Sequence, residues 1–228
     1  MQSSELQTNF LPYPLPPWRH RFRTLSVFCE VDESILRGRV MKPLELKSNV
    51  IEIALIHALS TVPPRPYYDL AVIAQVQFGE ITGGTWLYGF TSTDQVLTGT
   101  REIWGYPMKL GEFELHVDQE RIWGHTTRLG RRIFEADFRS TGVEFELIEM
   151  FPRLFVKQLP AADKIGAESN QVVTVSTDTQ ISEVRWGDAE IDFEASEDDP
   201  LHLLKPRRMV GATYIAGEQV LNWGRVLG

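Results

Sequence analysis

The chain has 228 residues, 43% of them hydrophobic and 24% charged, with a net charge of −8. That length suits one large domain or two small ones around a sizeable core. The acidic balance without any basic run excludes a phosphate-backbone partner, so no nucleic acid is expected, and no apolar run approaches the ~20 residues that cross a bilayer, so no membrane is either.

The first twenty residues contain Pro12, Pro14, Pro16 and Pro17. A density of proline like this forbids a regular helix and implies an extended arm over residues 1–20. Phe10, Tyr13 and Trp18 imply that the arm packs on its own domain or on a neighbouring subunit. It has no apolar core flanked by positive charge, so it does not read as a secretory signal.

From Arg21 to Gly228 one β-rich domain is expected. RFRTLSVFCEV reads as a strand, and Cys29 within it as a small buried hydrophobe. A single cysteine cannot make an internal disulfide, which points to a cytoplasmic setting. Asp32 caps a short helix in DESILRGRVM, with Pro43 beyond its end. NVIEIALIHAL puts Val50, Glu52 and Ala54 on one side of a strand and Ile51, Ile53 and Leu55 on the other. DLAVIAQVQF, TWLYGFTST, EFELHVD, RIWGHTTRLG, RIFEADFRS and EFELIEMFPRLFVKQL follow as strands, punctuated by glycines at 79, 83, 84, 111, 124, 130 and 142. TSTDQVLTG offers one or two helical turns. QVVTVSTDTQ, SEVRWGDAEIDFEA and MVGATYIAGEQV complete the strands, and SEDDPLHLL is a short helix or a loop. Many short strands and few helices predict a mostly β (α+β) fold built on antiparallel sheet.

Nucleotide fingerprints are missing, as are CxxC, HExxH and GxSxG motifs, so no cofactor and no metal are expected. His116 and His125 could meet across a hairpin, but two histidines without a placed carboxylate make poor metal evidence.

One stretch does carry a signature. TREIWGYPMKLGEF, Thr100 to Phe113, resembles the acetoacetate decarboxylases, in which Gly-Arg-Glu precedes Tyr-Pro-Lys-Lys-Leu/Ile-Gly/Ala. Arg101, Glu102, Tyr106, Pro107, Lys109, Leu110 and Gly111 fit that frame without a gap. DESILRGRVMKPLEL, IEIALIHA, PYYDLAVIAQVQF and the C-terminal segment from Trp186 resemble other family segments in the same order. The resemblance implies an antiparallel β-barrel or cone with a few short helices, an apolar interior pocket, a small-molecule substrate and a homo-oligomer.

The same resemblance implies a departure. The family's first lysine forms a Schiff base with a β-keto acid, made nucleophilic by burial and by a second lysine beside it. Here the first position is Met108 and the second Lys109. A thioether cannot condense with a ketone. Neighbours on an extended chain face opposite sides, so Lys109 points away from wherever Met108 points unless a bulge intervenes. Met108 then adds to the apolar pocket floor.

The family's two carboxylates fall on Glu52 and Asp69, both in apolar strands, where burial tunes an acid–base group; facing solvent is the plain alternative. The family's carboxylate-binding arginine falls on Phe22, with Arg21 and Arg23 on either side; Arg23 is taken as the substitute. Arg101 with Glu102 holds the loop, and Trp104 and Tyr106 shape the pocket. The candidate catalytic residues are therefore Glu52, Asp69 and Lys109. Substrate contacts are expected from Arg23, Arg101, Trp104, Tyr106 and Met108.

Three functions remain open at this point. The first is acid–base chemistry on a keto acid, enol or polyketide-like molecule without an imine, covering decarboxylation, dehydration, isomerisation or cyclisation. The second is Schiff-base decarboxylation through Lys109. The third is binding of a small molecule without turnover.

Overall fold

A computed structural model describes residues 8–63 and 65–228, so the first seven residues of the expected arm lie outside it. The strands are β1 (Trp18–Glu30), β2 (Glu45–Val62), β3 (Tyr67–Phe78), β4 (Ile81–Thr91), β5 (Met108–Leu110), β6 (Glu112–Val117), β7 (Arg121–Arg128), β8 (Arg131–Ser140), β9 (Arg153–Pro160), β10 (Ala167–Val175), β11 (Thr177–Asp192), β12 (Arg208–Leu221) and β13 (Arg225–Val226). They join in one sheet ordered β13-β10-β9-β4-β3-β2-β1-β12-β11-β8-β7-β6, with β5 alongside β4. The pairs are antiparallel except β4–β5 and β4–β9. The mostly β, antiparallel expectation is met.

The sheet curls back on itself. Leu25, Ile53 and Leu70 of β1–β3 share one core with Ile122 of β7 and Phe134 and Phe138 of β8, strands far away in the sheet order. Gly124 lets this happen: a Cβ there would lie 2.5 Å from Leu55 Cδ2, so β7 crosses the face of β2 closely. This barrel-like core takes the odd-numbered residues of β1, among them the buried Cys29, whose thiol burial pushes up to about 12. The even-numbered residues face the other way. There Trp18, Tyr67, Trp104, Tyr106, Met108 and Phe155 form a second apolar cluster.

Helix α1 (Glu33–Arg37) is capped by Asp32, whose side chain accepts from the Ser34 amide. Helix α2 (Asp94–Ile103) is capped by Thr93 and is longer than the one or two turns expected. It continues through Arg101 and Glu102, so that pair rides on its last turn. The described part of the proline-rich segment opens with a single 3-10 turn, Thr8–Phe10, and packs on the domain further along. Tyr13 and Trp18 are buried, and the Tyr13 hydroxyl donates to Glu102 Oε2 at 2.6 Å.

Two expected strands are placed differently. EFELIEMFPRLFVKQL is not one strand: residues 143–152 are irregular and β9 starts at Arg153, after Pro152, which has no amide hydrogen for a ladder. QVVTVSTDTQ divides at residue 176, between β10 and β11. The glycines at 83 and 84 do not break a strand either, since both lie inside β4.

Candidate active site

The even face of β1 and the matching faces of β2 and β3 line a cavity of about 220 Å3, roughly seven times the ~30 Å3 that one water occupies in the liquid. β4 contributes Trp86, β5 contributes Met108, and the turn before β5 contributes Tyr106. Phe151 and Arg153 enter from the irregular segment and the start of β9.

Both carboxylates carried over from the resemblance reach this cavity. Glu52 lies opposite Phe28 of β1 and Ile73 of β3 in the sheet register. Its Oε1 accepts from Ser26 Oγ at 2.8 Å, and its Oε2 is 3.6 Å from Arg153 Nη2. Asp69 sits four residues from Ile73 on the same face of β3, about 13 Å along the strand at ~3.3 Å per residue. It is 7% exposed, and its Oδ1 has no hydrogen-bond partner. Burial lifts its pKa from 3.8 to about 7, with the Thr91 hydroxyl across the β3–β4 register acting the other way.

Tyr106 lines the same cavity, near enough to Arg153 and to Asp69 for its hydroxyl to sense both charges. Burial raises its pKa and keeps the hydroxyl protonated. Its ring meets Trp86 edge-on at 4.8 Å and Phe155 at 4.0 Å. Tyr67 lies beside Asp69, its pKa also raised by burial.

Met108 and Lys109 point in opposite directions, as the alternation of an extended chain requires. Met108 is 2% exposed and lines the cavity. Gly89 makes room for it: a Cβ there would lie 2.5 Å from Met108 Sδ.

Four expected site residues lie elsewhere. Lys109 leaves the cavity; its Nζ donates to Asp199 Oδ1 at 2.6 Å and to the Asp198 carbonyl at 3.1 Å. Arg128 holds the other oxygen of the fully buried Asp199 at 2.8 Å, so Lys109 belongs to a structural ion-pair cluster. Arg23 is on the odd face of β1, opposite His57 and Ala216, while Phe22 takes the cavity face. Arg101 turns back to the Met108 carbonyl at 3.2 Å, bracing the loop instead of meeting a substrate. Trp104 is completely buried behind the cavity, edge-on to Trp18 and donating to the Asn222 carbonyl. His116 and His125 do not face each other: Trp123 is opposite His116 and stacks on it, and Glu114 is opposite His125.

Two residues were missed. Arg153 is buried, with Nη1 donating to the Met150 carbonyl at 2.9 Å and its guanidinium over the Phe151 ring at 4.1 Å. The sequence did hold a sign of it, the paired glycines in the middle of β4. A Cβ at Gly83 would lie 2.0 Å from the Pro152 carbonyl oxygen, and one at Gly84 2.6 Å from Arg153 Nη1. Glycine within a strand marks such a close approach. His20 is the other. It lines the cavity with a buried, unpartnered Nδ1, and burial lowers its pKa to about 4, so its imidazole is neutral. Its place in the proline-rich stretch hid it.

Comparison with known proteins agrees with this architecture. The family described as Acetoacetate decarboxylase (ADC) matches residues 5–227. An acetoacetate decarboxylase of Burkholderia vietnamiensis (strain G4 / LMG 22486) is 23% identical over 222 residues, covering 94% of this chain and 90% of its own. Among solved structures, the acetoacetate decarboxylase of Legionella pneumophila superposes with a TM-score of 0.86 at 20% identity, over 100% of this chain and 92% of its own. An acetoacetate decarboxylase-like enzyme from Sphingomonas wittichii RW1 gives 0.87 at 14% identity, over 98% and 99%. The enduracididine biosynthesis enzyme MppR, complexed with pyruvate, gives 0.81 at 16% identity, over 100% and 93%. With the match running almost end to end, the chain belongs to the acetoacetate decarboxylase family.

Proposed function

We propose that the protein is an enzyme that moves protons on a small oxo acid or its enol, without a lysine imine. The observation that carries this is the buried Asp69, its Oδ1 unpartnered, in a cavity where a thioether stands at the position that the resemblance gives to the imine lysine. A carboxyl poised near pH 7 both takes and returns a proton at neutral pH.

The chemistry follows from the cavity. Asp69 removes the proton on the carbon beside a carbonyl; the C–H pair becomes the C=C bond and the carbonyl pair moves to oxygen. The Tyr106 hydroxyl donates to that developing oxyanion in a site of low dielectric. The enolate so formed serves isomerisation, dehydration or cyclisation, and decarboxylation reaches the same enolate by loss of CO2. MppR, a protein of this fold, has been seen with pyruvate and with the condensation product of pyruvate and imidazole 4-carboxaldehyde, which favours a carbonyl acid as substrate class. Lys109 is committed to Asp199, which disfavours the imine alternative. The reading takes the enzyme as cytoplasmic and as a homo-oligomer, the latter checked by light scattering.

Pyruvate, 2-oxobutyrate and acetoacetate in deuterated buffer test it. The wild type is expected to speed deuterium entry beside the carbonyl of at least one of them, and Asp69→Asn to lose at least a hundredfold of that rate. Exchange by the variant at the wild-type rate, or tight binding with no exchange, would overturn the proposal.

A further inference from the structure

We propose that Arg153, held in place by Glu52, is the residue that receives the carboxylate of the substrate. The inference rests on the acid–base reading above and adds the anion-binding residue that reading lacks. The strand position that the resemblance offers for this task is filled by Phe22, and both flanking arginines are absent from the cavity lining.

Arginine carries five N–H donors and stays charged in proteins. Among the described residues, the hydrogen bond of Arg153 is the one from Nη1 to Met150. Glu52 is at ion-pair distance, 3.6 Å, and already accepts from Ser26. The guanidinium therefore has an anchor that lessens the cost of its burial, while donors remain for a ligand. A second unpartnered donor, Trp86 Nε1, belongs to a residue of the same lining. A planar fork of donors on a cavity wall matches a carboxylate.

The position also suits the chemistry. Tyr106 lines the same cavity and senses the charges of both Arg153 and Asp69. An acid whose carboxylate rests on Arg153 lies in the same cavity as the Tyr106 hydroxyl and the Asp69 carboxyl. Glu52 is in this arrangement a positioning residue: it orients the guanidinium and does not carry the proton.

Two glycines in β4 leave room for the Pro152 carbonyl and for the Arg153 guanidinium. The segment meets β4 at one parallel register pair, Gly84 with Arg153, next to the hydrogen bond from the Gly84 amide to the Pro152 carbonyl.

The test compares acids with their amides, by calorimetry and by saturation-transfer NMR at fixed protein concentration. Pyruvate and acetoacetate are set beside pyruvamide and acetoacetamide. The wild type is expected to bind at least one acid ten times or more tighter than its amide. Arg153→Met should remove that preference and leave the amide affinity within about twofold, which also shows that the cavity still forms. Glu52→Gln should reduce the preference less than Arg153→Met does. Equal affinity of the wild type for acid and amide would overturn the inference without any variant being needed. So would undiminished preference in Arg153→Met. Acid binding that vanishes with Arg153 but shows no isotope exchange would uphold this assignment and sink the proposed reaction, so the two failures are distinguishable.

Discussion

Replacing Asp69 by asparagine should stabilise the protein in a pH-dependent way while removing its chemistry. The folded state raises this carboxyl from 3.8 to about 7 because burial disfavours the charge. Between those values the folded protein holds a proton that the unfolded chain has released. Stability of the wild type therefore falls as pH rises through that window and levels off above it. The difference of about 3 pH units corresponds to about 4 kcal/mol at pH 8, an upper value since the site can take up water. For a chain of this length that is roughly 10 °C in Tm. Asparagine has nearly the same shape and no charge, so the variant lacks the slope. Urea unfolding of both proteins from pH 4 to pH 9, at one protein concentration, measures it. The variant should match the wild type near pH 4, apart from a constant offset, and exceed it increasingly up to about pH 7. A difference that stays flat across the range would refute the claim that burial raises the pKa of the Asp69 carboxyl. Stability gained where activity is lost is the usual signature of a functional group kept in an unfavourable place.

Gly84→Ala should cost about 2 kcal/mol or more, because the added Cβ would lie 2.6 Å from the Met150 carbonyl oxygen, which cannot swing away as a side chain can. Thermal unfolding reads the loss, and the acid-over-amide preference should fall with it as Arg153 is displaced. Lys109→Met should cost about 1–3 kcal/mol by taking one of two cations from the buried Asp199, Arg128 remaining. Its isotope-exchange rate should stay within about threefold of the wild type, a result opposite to that of a lysine in the mechanism.

The architecture was legible because β-strands announce themselves by alternation and their ends by turn residues. Alternation also settled the most informative pair: once Met108 and Lys109 are extended, only one of them can face the cavity, and Gly89 leaves space for the thioether. Glu52 and Asp69 were legible as carboxylates stranded in apolar runs. Arg23 was misplaced for the same geometric reason that served elsewhere. Counting from the buried Ser26 and Trp18, even positions of β1 face the cavity, so an odd one cannot. Arg153 was illegible from its own surroundings, where FPRLFVKQL looks like uninterrupted strand. Its entry depends on a contact between segments some seventy residues apart, and only the glycines at 83 and 84 recorded it. Arg101 and Trp104 fall in the signature itself, yet one braces a backbone carbonyl and the other fills the core behind Tyr106. A signature residue can be retained for the loop it builds rather than for the ligand.

The most direct test of an imine-free acid–base site is intact-mass spectrometry after borohydride is added to the enzyme while it is exchanging the protons of an oxo acid. Exchange is expected to proceed while the chain mass stays unchanged. A reduced adduct on Lys109, or on any other lysine, would contradict it.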